Sequence, residues 1–117
     1  CPILDETEFR SFTVPKVVAS NDGKLLYMSR SPIPLTKSGT FITGHKQVCI
    51  YAFGREHLEF FASIKRKSPL EKIEDIEILR FLEHGYEVQM IEVDGGSIAV
   101  DVPEDVDRVV ALMTAGR

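Results

Sequence analysis

The 117-residue sequence has only two cysteines, Cys1 and Cys49, and no excess of basic residues. The two cysteines form neither a C-x-x-C pair nor a zinc-ligand spacing. Cys49 lies in an apolar run and is expected to be a buried free thiol, which reads as a reducing, cytoplasmic setting. Lys and Arg number 14 against 18 Asp and Glu, a formal net charge of −4. That balance argues against nucleic-acid binding, which calls for a basic stripe. No apolar run approaches the ~18 residues of a membrane span, so no membrane partner is expected, and no secretory leader is expected either. Local catalytic motifs are missing as well: there is no G-x-S-x-G elbow, no H-E-x-x-H helix and no P-loop.

What is present reads as one mixed α/β domain. Residues 1–13 show no steady period and predict an irregular or partly helical lead-in. "VPKVVAS" (14–20) is rich in β-branched residues and predicts a strand. "NDG" (21–23) marks a tight hairpin turn, and "KLLYMSR" (24–30) is the return strand. "TKSGTFITG" (36–44) is a loop by composition. "HKQVCIYAF" (45–53) predicts a third strand, continuously apolar from Val48 to Phe53 and therefore covered on both faces. "GREHLEFFASI" (54–64) predicts a short helix with Leu58, Phe61 and Ile64 on one side.

The clearest signals lie in residues 68–86, "SPLEKIEDIEILRFLEHGY". Ser68 is a good N-cap, Pro69 suits the first helical position, and Glu71 completes a capping box. Gly85 fits a left-handed helix end. One helix packed on two sides is expected. The acids Glu71, Glu74, Asp75 and Glu77 form an acid-rich face, expected to be solvated and paired with Lys72 and Arg80. Strands are predicted at 86–93 and 97–102 around a turn at 94–96. A closing helix over 103–113 has Glu104 and Asp105 at its positive end.

"PKVVASNDGKLLYMSRSPIP", "HKQVCIYAF", "SPLEKIEDIEILRFLEHGYEV" and "AVDVPEDVDRV", in that order, resemble the second half of the 3-deoxy-manno-octulosonate cytidylyltransferases, the CMP-Kdo synthetases. The resemblance runs from about Val14 to Met113. It implies the C-terminal part of a nucleotide-diphospho-sugar transferase (Rossmann-like) fold, a mixed sheet with flanking helices, akin to the acylneuraminate cytidylyltransferases. It also implies transfer of CMP from CTP to a Kdo-like sugar acid with release of pyrophosphate, a Mg2+ cofactor and a homodimer.

Individual positions take roles by the same resemblance. Asp101 matches a magnesium ligand. Arg30 matches an arginine at the sugar-acid site, where a planar guanidinium suits a carboxylate. His45 matches a histidine near the sugar hydroxyls, and Glu77 the Glu of the family's "LEQLR" helix. Ile78 departs from that pattern, standing where the family has a glutamine expected at the sugar. Prolines at 32 and 34 stiffen the chain after Arg30.

From the residues alone, Asp101 could equally be an acid at a helix start, and His45 a structural histidine. The family's CTP-phosphate loop and the acidic partner of the Asp101-type ligand belong to its first half, and neither is in this sequence. With Cys, not Met, as the first residue, the 117 residues are expected to be a piece of a longer product, inactive alone. The alternative is a non-catalytic dimerisation or interaction module derived from the same fold.

Overall fold

The structure is a computed structural model that describes residues 1–94, 100 and 102–115. Its elements in chain order are β1 (Pro2–Ile3), α1 (Glu6–Arg10), β2 (Lys16–Ala19), β3 (Leu25–Ser29), β4 (Gly44–Lys46), α2 (Arg55–Ser63), α3 (Pro69–Glu74), α4 (Leu79–Glu83) and α5 (Pro103–Ala115). Among the described residues the sheet has the order β1-β4-β2-β3, and each of its ladders is antiparallel.

The β2–β3 hairpin forms where the NDG signal places it. Gly23 turns with φ of 81°, a left-handed conformation that favours glycine, and a Cβ there would meet the Gln89 side chain at 2.5 Å. Register pairs Lys16 with Ser29 and Val17 with Met28. The lead-in resolves into β1 and α1, with the Asp5 carboxylate accepting from Thr7 N at 3.1 Å and Glu8 N at 3.2 Å, as an N-cap should.

The core gathers Val17, Leu25 and Met28 from the hairpin with Ile76, Ile78, Leu79 and Phe81 from the helical segment. Phe60 and Phe61 of α2 close over Phe81, with ring centroids 5.7 and 5.5 Å away. The face of α2 turned inward is therefore Phe60 and Phe61. Leu58, expected on that side, is exposed.

Several expectations need correction. The third strand stops at Lys46, and Val48–Phe53 is neither strand nor buried on both faces. Cys49 is exposed rather than buried. Residues 86–93 form a single bridge, Lys24 to Gln89, instead of a strand. Residues 95–99 and 101, most of the last predicted strand and its turn, lie outside the described residues.

The expected single helix at 68–86 is two. Asp75 takes a left-handed conformation, φ 54° and ψ 50°, and ends α3. The break lets Ile76, Ile78 and Leu79, nearly consecutive, all turn into the core. Gly85 lies beyond α4 with φ of 80°, as expected. No described helix is long and apolar enough to cross a membrane.

Candidate functional site

At the end of β3 the chain meets the end of α3, and one carboxylate joins them. Glu74 accepts from Ser29 Oγ at 2.6 Å and from the Arg30 backbone N–H at 2.9 Å. Tyr27 OH lies 3.4 Å from the same carboxylate. Burial pushes the Glu74 carboxyl pKa up. The Ser29 and Arg30 hydrogen bonds more than offset this, leaving it below its ordinary value.

The Arg30 side chain returns across the junction. Its Nε donates to the Glu74 carbonyl at 2.6 Å, Nη2 to the Asp75 carbonyl at 3.2 Å, and Nη1 to the Phe12 carbonyl at 3.1 Å. The left-handed Asp75 thus turns two carbonyls out of the helical ladder, and Arg30 satisfies both, which such groups at a helix end require. Beneath it, buried Lys16 donates its ammonium to the carbonyls of Ser11 and Arg30. Burial first, then the Arg30 charge, lowers the Lys16 pKa.

His45 stands on β4 opposite Pro2 and Val17. It is half exposed, with Nε2 at 3.7 Å from Glu92 Oε1. Glu77 is exposed between α3 and α4. It lies near Tyr51, whose phenol is pushed up to about 12 by partial burial first, then by the charges of Cys49 and Glu77. Ile78 is 2% exposed and belongs to the core, so at this position the side chain packs inward. Asp101 lies outside the described residues. No hydrogen bond or ion pair links Arg30, His45 and Glu77 to one another among the described residues.

An apolar cleft of about 770 Å³ opens between residues 48–54 and 86–94, lined among others by Ile50, Tyr51, Phe53, His57, Phe81 and Met90. Ile50 on its margin is 83% exposed.

A second polar cluster ties α3 to α4. Arg80 makes a two-bond fork to Glu71, Nε to Oε2 at 2.7 Å and Nη2 to Oε1 at 2.6 Å. Its guanidinium also lies 3.8 Å over the Phe61 ring. The capping box pairs Ser68 with Glu71. Glu83 reaches the same helix end, accepting from Leu70 N at 2.8 Å, Glu71 N at 3.2 Å and the Ser68 hydroxyl. Of the acid face expected to be solvated and paired with Lys72 and Arg80, Glu71 does pair with Arg80 but is buried, Glu74 binds the strand end, and Asp75 pairs with Lys67 instead. The sequence reading missed Lys16, Glu74 and Glu83. A lysine inside a β-branched strand run was the available signal for the first. The other two look like any surface glutamate on a helix.

No protein-family model matches the chain. The 3-deoxy-manno-octulosonate cytidylyltransferase of Syntrophotalea carbinolica is 37% identical over 94% of this chain and 47% of its own length. That of Geobacter metallireducens is 40% identical over 92% of this chain and 46% of its own. A solved structure of CMP:2-keto-3-deoxy-manno-octonic acid synthetase complexed with CTP superposes with a TM-score of 0.83 at 31% identity, covering 97% of this chain and 47% of that one. The chain is homologous to the C-terminal part of the CMP-Kdo synthetases. It spans about half the length of the curated relatives it matches. Its α/β class, a sheet with flanking helices, is that of the matching part of the solved structure.

The described residues contain no group of three His, Cys, Asp or Glu side chains able to hold a metal ion. One carboxylate such as Asp101 makes a poor magnesium site without substrate phosphates or a second acid.

Proposed function

We propose that this chain carries the sugar-acid side of a CTP-dependent cytidylyltransferase that joins CMP to a Kdo-like 3-deoxy sugar acid and releases pyrophosphate. The observation behind this reading is the match, over more than nine-tenths of the chain, to proteins named for that reaction, with a CTP-complexed structural neighbour.

Arg30, His45 and Glu77 serve the sugar acid in this reading. Arg30 binds its carboxylate, His45 lies by its hydroxyls, and Glu77 supplies an exposed anion beside them. Asp101 contributes one carboxylate to a Mg2+ ion completed by phosphate oxygens and by groups outside these 117 residues. When bound, that ion offsets charge on the transferring phosphate. The working form is a homodimer, supported by the exposed apolar side chains Val106, Val110 and Met113 on α5.

The 117 residues alone should release no pyrophosphate from CTP, Mg2+ and Kdo above a blank, because the sequence has no phosphate-binding loop. A chimera in which this chain replaces the matching part of the Syntrophotalea carbinolica relative should turn over. A folded chimera with no Kdo-dependent pyrophosphate release would defeat the reading.

A further inference from the structure

Arg30 is held from three directions before any ligand arrives. Its backbone N–H is taken by the Glu74 carboxylate and its carbonyl by Lys16, and its side chain by three backbone carbonyls. A guanidinium has five N–H donors. Nε uses its one donor here, and each terminal nitrogen uses one of two, which leaves one N–H on Nη1 and one on Nη2. Two donors on adjacent nitrogens match the two oxygens of a carboxylate.

The carboxylate of Glu74 governs that arrangement. It grips Ser29 and the Arg30 amide, and its own backbone carbonyl receives Arg30 Nε. One residue therefore fixes both the root and the shaft of the arginine. Loss of its charge weakens the grip on Ser29 and the Arg30 amide, while the backbone carbonyl contacts of the Arg30 side chain remain.

We infer that Glu74 is the positioning residue that presents the two remaining Arg30 donors to the carboxylate of the sugar acid. The inference rests on the proposed function, and it assigns a role to a glutamate that the sequence marks only as part of an acidic helix face.

The test is a titration of the 117-residue chain with 3-deoxy-manno-octulosonate, followed by NMR on the Arg30 Nε–H resonance. Variants are Glu74→Gln, Ser29→Ala and Tyr27→Phe, each with a melting curve. In the wild-type chain the resonance should shift with added sugar acid. Glu74→Gln should raise the apparent Kd about tenfold, the size of one lost charge-assisted hydrogen bond. Ser29→Ala should move it a smaller amount in the same direction, and decides the matter if Glu74→Gln fails to fold. Tyr27→Phe, which removes only the long 3.4 Å contact, should leave it unchanged. A wild-type response with equal affinity in Glu74→Gln, or in Ser29→Ala where that variant decides, overturns the inference and spares the functional reading. No response at Arg30 in the wild-type chain overturns the inference, while the functional reading stands or falls with turnover of the chimera.

Discussion

Two regions of this chain treat their residues in opposite ways. Around α3 and α4 charged groups are drawn inward and satisfied: buried Glu71 with buried Arg80, and half-buried Glu83 and Glu74 with the α3 amides and the end of β3. Along the cleft formed by residues 48–54 and 86–94 the apolar groups are left open, with Ile50 83% and Ile91 80% exposed. The difference is one of where hydrogen bonds can be found. A helix satisfies its backbone from its own sequence. A strand needs a neighbour's edge, and its buried polar groups must find partners. The first region therefore finds its partners within α3, α4 and the end of β3, whereas the second carries a strand pattern that no strand edge pairs among the described residues.

Breaking the first region should have the largest effect. Arg80→Ala leaves Glu71 buried without its fork and removes the guanidinium from the Phe61 face. Removing one partner of a buried pair costs about 3–5 kcal/mol, so urea unfolding of this variant should show a midpoint well below wild type. A midpoint within error of wild type would erase the contrast between the regions.

Acid should produce a smaller loss, because a protonated carboxyl keeps some of its hydrogen bonds. Arg80 holds the Glu71 carboxyl below its ordinary value of 4.5. Burial raises the Glu83 pKa, yet the Leu70 amide, the Ser68 hydroxyl and the Glu71 amide leave it lowered overall. A carboxyl with a lower pKa folded than unfolded stabilises fully above the unfolded value and loses that stabilisation as pH falls through the folded one. Urea midpoints should be flat from pH 7 to near 5 and fall below about 4.5, with the fall reduced in Glu71→Gln. An equal fall in that variant would assign the acid sensitivity elsewhere.

The open region should respond least. Ile50→Ser removes an apolar side chain that water already reaches, and surface changes of this kind stay within about 0.5 kcal/mol. A clear destabilisation in the isolated chain would mean that the cleft margin packs more tightly than its exposure indicates.

The same contrast decides how much the sequence revealed. The hairpin turn, the Ser68–Pro69–Glu71 helix start and the Gly85 helix end are local signals, and the structure carries all three. The break at Asp75 was hidden because its cause is remote. Arg30, 45 residues earlier, takes the carbonyls that a continuous helix would have used. Val48–Phe53 misled for the complementary reason: its apolar run specifies a covered strand, and coverage is a property of neighbours. At the candidate site the resemblance pointed to positions 30, 45 and 77, while the geometry around Arg30 was not visible in the sequence. The supports of Arg30, Lys16 and Glu74, became visible only when strand end and helix end met in space.

The most direct measurement of the functional account concerns Asp101. In the chimera with the relative's remaining residues, Asp101→Asn keeps the shape and the capping ability of the side chain and removes only the charge that a hard cation needs. The account predicts that Kdo-dependent pyrophosphate release at saturating Mg2+ falls to the blank while the melting temperature is unchanged. Near-normal turnover by the Asn variant would contradict it and leave Asp101 as a structural residue.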